Sequence, residues 1–313
     1  MKYLLGCFLS VILLTGIATA ADDAPPDTNH GVTVREAQLY ISPDTSSAKL
    51  AEVSRGREVI VLEESRNWIH VLAGVGPQKD INGWMLDKGV VRPNTPDGDK
   101  ILFGEAAASE LVASQRGGRK GAADDARRLY YRTYEYFPKS PVAGEALYRA
   151  ADILWQVGNS DISTLRSARE RDPNMRPEND PTYMKLVMKK FPGSKWADLA
   201  AFHLIENKLC GDWEGLSKCP EKESEMYEKY AAEHPTSPKA PEALYRAAWR
   251  QAALIEIYKT ENKSKQVDQA RANAKSLAAQ IASKYPDNDW AFRARALAYQ
   301  VEQQIPMYGN AIE

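Results

Sequence analysis

The chain has 313 residues, of which 27% are charged and 43% are hydrophobic. Its 41 basic and 42 acidic residues leave a formal net charge of −1, which excludes both the basic footprint of a nucleic-acid-binding protein and an acidic tail. The mean hydropathy of −0.49 predicts that most of the chain is soluble, in a globular or solenoidal fold.

The N-terminus has the pattern of a signal peptide. Lys2 supplies the positive end, residues 4–17 form an apolar run, and a small-x-small cleavage site ends at Ala20. We expect residues 1–20 to be cleaved off and the protein to be periplasmic, with the periphery of the outer membrane as a further candidate location. A membrane anchor is the competing interpretation, but the run is short for a spanning helix. A lipid anchor at Cys7 is disfavoured because its motif precedes the apolar run.

Between residues 31 and 93 the chain alternates in short apolar and polar runs, which is typical of β-strands. Turn-forming residues separate these runs, for example at 42–44 and 54–56. Six short strands in about sixty residues predict a small, strongly bent all-β barrel. The predicted strands are residues 32–34, 38–41, 51–53, 58–62, 68–72 and 83–85.

Four motifs follow one another through this region. They are LYISP at 39–43, RGREVIVL at 55–62, WIHV at 68–71 and NGWM at 82–85. In order and spacing they resemble the bacterial SH3 family, which implies an SH3-like barrel over residues 31–93 that binds cell-wall peptide or another envelope component. Ser42 stands where that family often has an Arg, and residues 73–80 lengthen the hairpin before Gly83.

Trp68 and Trp84 lie in two of the predicted strands. We expect both indoles in the barrel core, where burial would stabilise the fold by a few kcal/mol each. The alternative is a ligand groove on the barrel, for which Tyr40 and Trp84 are the better candidates for partial exposure.

Residues 94–100 form a polar connector with Pro and Gly, which we predict to link the barrel to a second domain at residues 101–304. Apolar residues at helical spacing predict that this domain is all-α. Residues 158–181 contain three prolines and are predicted to be an irregular insertion. The predicted helices are residues 104–115, 122–137, 142–157, 182–191, 195–209, 222–234, 238–258, 266–285 and 289–304, arranged as four hairpins and a terminal capping helix.

The seven residues EALYRAA at 145–151 return unchanged at 242–248. Each copy follows an aromatic residue or His placed directly before Pro, and two more such pairs occur. A residue before Pro is pushed out of helical geometry, so we expect a helix to end at each pair. The pairs are Phe137-Pro138, Phe191-Pro192, His234-Pro235 and Tyr285-Pro286.

The spacing before these prolines resembles the tetratricopeptide repeat. Ala126, Tyr130 and Thr133 stand twelve, eight and five residues before the first Pro, where that repeat requires small, aromatic and small residues. The third copy fits in part, because Glu223 occupies its first small position. The resemblance implies a solenoid of helical hairpins, as in the lipoprotein of the outer-membrane β-barrel assembly machine and the Tol–Pal-associated coordinator of cell-wall synthesis.

Cys210 and Cys219 are the only cysteines outside the predicted signal peptide. In an oxidising compartment an isolated pair predicts a disulfide, and closing this loop would stabilise the fold by roughly 2–3 kcal/mol. A metal site would need further ligands, and a thioredoxin-like redox pair would be closer in sequence.

The sequence contains no common metalloprotease, hydrolase or phosphate-loop motif. Of its four His residues, His234 stands where the equivalent residues are Phe and Tyr, so we predict that it packs. We expect no enzymatic activity, no catalytic or metal-binding residues and no cofactor.

Any site on the helices should be a groove for a protein, because Tyr, Trp and Arg dominate binding energetics. The alternative is that Tyr148 and Tyr245 pack between hairpins and that the arginines are solvated. The candidate partner-binding residues are Tyr148, Arg149, Trp155, His203, Tyr245, Arg246, Trp249 and Arg250.

Two functions therefore remain open for the sequence. The first is a non-enzymatic envelope adaptor that binds another envelope protein through the concave face of the helices, in outer-membrane or cell-wall assembly. The second is a peptidoglycan-binding protein that uses the SH3-like barrel, with the helices as a spacer.

Overall fold

The structure is a computed structural model that describes residues 26–76, 79–170 and 172–309. The predicted signal peptide and Cys7 lie outside these residues. Within them, no helix is both long enough and apolar enough to cross a bilayer.

The first described region is a curled antiparallel sheet with the strand order β3-β2-β6-β5-β4-β1-β7. Each of the six predicted strands overlaps an observed one, and the lengthened hairpin before Gly83 is the long β5–β6 pair. β7 was not predicted, because a strand of two residues is too short to show an alternating pattern of apolar and polar residues. The strands are β1 (His30–Thr33), β2 (Ala37–Tyr40), β3 (Lys49–Val53), β4 (Glu58–Ser65), β5 (Trp68–Gly76), β6 (Lys79–Leu86) and β7 (Val90–Val91).

The inner face of the sheet forms a hydrophobic cluster. Side chains alternate between the two faces of a strand, so the odd-numbered residues of β5 and β6 point inward. Ile69, Val71 and Met85 are at most 1% exposed. The cluster consists of Leu39, Val53, Val59, Val61, Ile69, Val71, Ala73 and Met85.

The rest of the described chain is helical, so an all-β region precedes an all-α region as predicted. The first helix begins at Gly98 instead of residue 104, within the predicted connector. Two short 3-10 turns occupy the segment that was predicted to be irregular, at Arg166–Arg169 and Pro173–Met175. The α-helices are α1 (Gly98–Ser114), α2 (Ala122–Tyr136), α3 (Ala143–Ser163), α4 (Thr182–Lys190), α5 (Lys195–Glu206), α6 (Lys218–Glu233), α7 (Ala240–Thr260), α8 (Ser264–Lys284) and α9 (Asp289–Glu302).

Four helices end at the aromatic-Pro and His-Pro pairs, as predicted, and the residue before Pro is the cap of each helix. The cap residues of α2, α4, α6 and α8 share one conformation, with φ between −125° and −134° and ψ between 53° and 59°. Each backbone N–H still bonds to the carbonyl four residues earlier. His234 takes the same conformation as its aromatic equivalents, and its ring lies 4.8 Å from that of Tyr230, so the prediction that it packs is confirmed.

Neighbouring helices pack through small residues, and aromatic contacts join each repeated helix to the second helix after it. Ala126 and Ala274, which stand at equivalent small positions, are fully buried. Tyr148 of α3 stacks on Trp196 of α5 with ring centroids 5.5 Å apart, and Tyr245 of α7 contacts Trp290 of α9 at 5.1 Å. Both indoles belong to the second residue of their helix, so the repeated sequence produces a repeated contact.

The sheet and the first two helices share a hydrophobic cluster. Val32 of β1 and Val91 of β7 pack with Leu102 of α1 and Leu129 of α2. The hydrophobic core is therefore continuous from β1 and β7 to α1 and α2.

The turn between β3 and β4 presses against α2 at Gly56. This residue has a φ of +70°, and a Cβ atom built on it would lie 2.6 Å from the Cβ of Arg128. Glycine is needed for both reasons, since other L-residues are strained at positive φ and no space exists for a side chain.

Candidate functional site

One face of the sheet carries aromatic side chains that the inner core does not use. In β5 and β6 the even-numbered residues point away from the inner cluster. Tyr40 of β2 is the cross-strand partner of Trp84, and Trp84 is also the partner of His70. The surface formed by Tyr40, Trp68, His70 and Trp84 is called the open face below.

The rings of the open face contact one another in two pairs. The rings of His70 and Trp84 are stacked, with centroids 5.0 Å apart and an interplanar angle of 20°. The rings of Tyr40 and Trp68 meet edge to face at 5.6 Å. All four side chains are half-buried, so the open face is an aromatic surface that remains partly exposed to solvent.

The expectation that Trp68 and Trp84 belong to the barrel core is wrong. Neither indole is in the inner cluster, because alternation directs Ile69 and Met85 inward and their Trp neighbours outward. Tyr40 and Trp84 are partly exposed, as the groove alternative expects. Their use as a ligand groove stays a prediction.

Aliphatic side chains extend the open face. Leu86 is the cross-strand partner of Trp68 and is 43% exposed, and Leu62, at the bulge in β4, is 53% exposed. Apolar side chains that continue an aromatic surface are typical of an interaction site.

Helix α2 borders the open face at β4. Glu58 accepts a hydrogen bond of 2.8 Å from the hydroxyl of Tyr136 and lies 3.3 Å from Arg132. Burial alone would raise the pKa of Glu58, but hydrogen bonds from His30 and Tyr136 together with the charge of Arg132 lower it. The open face is therefore bordered by the charged side chains of Glu58 and Arg132 where it adjoins α2.

Three predicted partner-binding residues, Tyr148, Trp155 and His203, come together between α3 and α5. The Nε2 atom of His203 lies 3.2 Å from the hydroxyl of Tyr148 and 3.2 Å from Oδ1 of Asp152. Its Nδ1 atom lies 3.4 Å from the carboxylate of Glu206, which also accepts a 2.7 Å hydrogen bond from the indole of Trp155.

The His203 cluster holds two helices together electrostatically. Burial alone would lower the pKa of His203, but hydrogen bonding and charge from Asp152 and Glu206 raise it to about 9. Burial alone would raise the pKa of Glu206, but interactions with His203 and Trp155 lower it. The two ring nitrogens face different carboxylates, and no metal-binding cluster occurs among the residues that the structure describes. The raised pKa favours a protonated His203 at neutral pH, which then forms an ion pair with Asp152 across the contact between α3 and α5.

Arg149 and Arg246 form ion pairs within the helical region. Arg149 bonds to Glu145 at 2.8 Å and to Glu110 at 2.9 Å. Arg246 pairs with Glu242 at 2.7 Å. Both arginines stay partly exposed, at 39% and 31%, so they are solvated as well as paired. The packing of Tyr148 and Tyr245 between hairpins is confirmed by their ring contacts.

The remaining two candidates, Trp249 and Arg250, lie beside the loop that joins α5 to α6. Trp249 is half-buried, and its indole donates to the carbonyl of Gly309 at 3.4 Å. Arg250 is 2% exposed and pairs with Glu223. Trp155 and Tyr245 are also buried, so these two residues and Arg250 serve the interior, and partner contact is not proposed for them.

The predicted disulfide between Cys210 and Cys219 is present in the structure. Trp213, inside the closed loop, is 3% exposed and packs with both cysteines and Ala253 of α7. The disulfide therefore pins a compact loop onto the helices, which is a structural role.

Sequence analysis misses two features of the sheet. The first is that Trp68 and His70 belong to the open face. The sequence could have indicated this, because Ile69, Val71 and Ala73 are aliphatic and alternate with them, so the aliphatic residues take the inner face and Trp68 and His70 the outer one. The second is the side chain of Arg57, which has no ion-pair or hydrogen-bond partner among the described residues. Only the contact with α2 reveals it, so no local pattern could have found it.

Comparison with known proteins identifies no family. No protein-family profile matches the chain, and no curated protein matches it. Solved structures that match include chains described as "DHF119 filament" and "DHF79 filament". They are 18% and 15% identical over 66% of this chain, cover 94% and 100% of their own length, and have TM-scores of 0.20 and 0.19. Scores this low support no statement about fold or function.

Proposed function

We propose that this protein is a non-enzymatic binding protein of the bacterial cell envelope, in which an SH3-like sheet holds peptidoglycan and a tetratricopeptide-like stack acts as scaffold. The observation that carries the proposal is the open face, where Tyr40, Trp68, His70 and Trp84 form one half-buried aromatic surface. Location in the envelope rests on the predicted signal peptide, and the disulfide is compatible with export.

A single half-exposed aromatic residue is ordinary, whereas several that form one contiguous surface are typical of an interaction site. The open face presents rigid rings with polar edges, the indole N–H and the phenol, beside exposed leucines. Such a surface binds ligands that have both apolar faces and hydrogen-bonding groups, because the rings lose little conformational entropy on binding. Sugar rings and short peptides have this chemistry, and peptidoglycan contains both.

The helical candidates give less support to a groove on the stack. Trp155, Tyr245 and Arg250 are buried, and the side chains of Arg149, His203 and Arg246 are held in internal ion pairs. The repeated sequence EALYRAA is explained by packing, because its two tyrosines make equivalent contacts between hairpins. A role as scaffold therefore suits the helices better than a role as the main binding surface.

A second candidate function, an adaptor for an envelope protein, is favoured by one observation on α9. Phe292 and Tyr299 are 59% and 62% exposed and lie two turns apart on one side of this helix. Aromatic residues in such positions are common anchors in protein interfaces. This candidate places the partner on α9 instead of on the predicted concave residues.

Sedimentation with purified cell-wall sacculi tests the proposal. We expect the full protein to sediment with sacculi and the double variant Trp68→Ala/Trp84→Ala to remain in the supernatant. The matched control, Phe292→Ala/Tyr299→Ala, removes two exposed aromatic residues from α9 and should sediment like the wild type. Wild-type protein that stays in the supernatant, or a double Trp variant that sediments normally, would refute the proposal.

A further inference from the structure

A crevice of about 250 Å³ opens where the open face meets α2. Its floor is formed by Ile60 and Leu72, which are cross-strand partners, and by Gly74. Leu72 follows His70 on the same face of β5, so the crevice continues the aromatic surface towards the helices. Charged side chains line the remaining walls: Arg57, Glu58, Asp80 and Arg132.

Arginines crowd this junction because the Gly56 turn brings β4 directly against α2. Most of them are neutralised by carboxylates. Arg132 pairs with Glu58 and Glu135, and Arg128 pairs with Asp124 and Asp125. The other pairs are Arg127 with Asp124 and Arg55 with Glu105.

Arg57 is different from its neighbours. Its backbone is fixed, since its carbonyl accepts hydrogen bonds from the N–H and the hydroxyl of Thr33. Within the residues described, however, its side chain takes part in no ion pair or hydrogen bond, although it is half-buried. Burial and the positive charge of Arg128 lower the pKa of Arg57, and the negative charge of Asp124 opposes them only in part. An anion placed at the guanidinium would therefore stabilise its charged form.

The other walls of the crevice limit which anion can enter. Glu58 is compensated by Arg132, so the lining presents Arg57 together with the carboxylate of Asp80. Asp80 repels a compact dianion such as phosphate more strongly than it repels a single negative charge. A single carboxylate suits the planar guanidinium, which binds such groups through two parallel hydrogen bonds. An aliphatic group beside the carboxylate would cover Ile60 and Leu72, and an amide N–H could donate to Asp80.

From these groups we propose that the crevice binds the free carboxyl terminus of a peptide, with Arg57 donating to the terminal carboxylate and the last side chain resting on Ile60 and Leu72. The volume accommodates one or two small residues, below the size of pockets for drug-like ligands. Capture of a terminal carboxylate is a known mode of peptide recognition. The inference rests on the proposed use of the open face as a ligand surface. It adds that the charged crevice at the α2 end of this face binds the carboxylate of the ligand.

An NMR titration of the protein with N-acetyl-alanyl-alanine tests the inference. We expect the Nε–Hε signal of Arg57 and the backbone signals of Leu72 and Ala73 to shift, and the C-terminal amide of the same peptide to bind at least tenfold more weakly. Arg57→Gln should weaken binding of the free acid by at least tenfold. Arg66→Gln, which removes the same charge from an exposed turn of the same sheet, should leave it unchanged.

A steric variant gives a second test that does not depend on charge. Gly74→Val puts a side chain into the floor of the crevice next to Asp80, and valine is favourable in a strand. We expect it to block the peptide while the Arg57 charge is retained. The inference is overturned if the amide binds as well as the acid, if Arg57→Gln or Gly74→Val binds normally, or if inorganic phosphate binds more tightly than the peptide.

The inference and the proposed function can fail separately. If Trp68 and Trp84 are required for sedimentation with sacculi but the peptide does not shift Arg57, only the carboxylate site is refuted. If the peptide binds at Arg57 but the protein does not sediment with sacculi, the carboxylate site is supported and peptidoglycan is the wrong ligand.

Discussion

Arg250 and Glu223 form an ion pair from which water is almost excluded. The Nε–Oε2 distance is 2.9 Å, and the two side chains are 3% and 2% exposed. The second carboxylate oxygen of Glu223 accepts hydrogen bonds from the backbone of Cys210 and the indole of Trp213. The pair therefore joins α6 and α7 to the disulfide loop, and it explains why the third repeat has Glu where a small residue is expected.

Removing one member of this pair should be strongly destabilising. Glu223→Ala leaves the guanidinium of Arg250 buried without a partner, and we expect a loss of about 3–5 kcal/mol in the free energy of unfolding. Urea unfolding measures it. The double variant Glu223→Ala/Arg250→Ala should lose clearly less than the sum of the two single variants, and additive losses would show that the charges do not interact.

The disulfide should contribute a measurable part of the stability. The loop-entropy argument gives roughly 2–3 kcal/mol for this short loop, so Cys210→Ala/Cys219→Ala should lower the free energy of unfolding by that amount. Reducing agent should lower the melting temperature of the wild type to that of the variant and leave the variant unaffected. An unchanged wild type in reducing agent would contradict a stabilising disulfide.

The His203 cluster predicts a loss of stability at high pH. The folded pKa of about 9 is above the unfolded value of about 6.5, so protonation stabilises the fold fully below pH 6.5. This contribution, about 3 kcal/mol, is lost as the pH rises through 9. The difference in unfolding free energy between wild type and His203→Gln should therefore shrink from pH 6 to pH 10. A difference that is constant with pH would contradict the predicted pairing with Asp152 and Glu206.

The assignment of faces in β6 can be tested with two adjacent residues. Met85 points into the inner cluster and is 1% exposed, whereas Trp84 lies on the open face. We expect Met85→Ala to cost about 2–5 kcal/mol in unfolding free energy. Trp84→Ala should cost less, although it removes the larger side chain. The reverse order would mean that the register of the sheet is wrong.

Gly56 offers a test of the junction between sheet and helices. Gly56→Ala introduces both strain at positive φ and a clash with α2. Gly89→Ala is a matched control, because Gly89 also has a positive φ, of +91°, but its nearest neighbour is 3.9 Å from the added Cβ. The control should lose about 1–2 kcal/mol in unfolding free energy, and Gly56→Ala should lose clearly more. Equal losses would show that the turn does not press against α2.

The local elements could be predicted from the sequence because each has a local cause. The pairs such as Phe137-Pro138 stop a helix by sterics alone, and alternation in residues 68–72 defines a strand. The start of α1 could not be predicted so easily. Asp97-Gly98-Asp99 looks like a connector, but Val91 and Phe137 pack around Gly98 and support a helix there.

The direction of side chains was harder to predict than the elements. Trp68 and Trp84 are large and apolar, and on their own they favour a core position. The choice of face depends on the whole strand, in which Ile69 and Val71 take the buried positions. The surroundings of Arg57 depend on a contact between segments that are distant in sequence. Only the folded chain shows that, among the described residues, no carboxylate pairs with it.

Photo-crosslinking from the open face tests its use as a ligand surface most directly. A photoreactive phenylalanine analogue placed at Trp84 should, after irradiation of intact cells, join the protein to peptidoglycan fragments that lysozyme digestion releases. The same analogue at Tyr299 should give no such product. Cross-links from position 299 to an envelope protein, together with none from position 84, would contradict a ligand site on the open face and favour the adaptor.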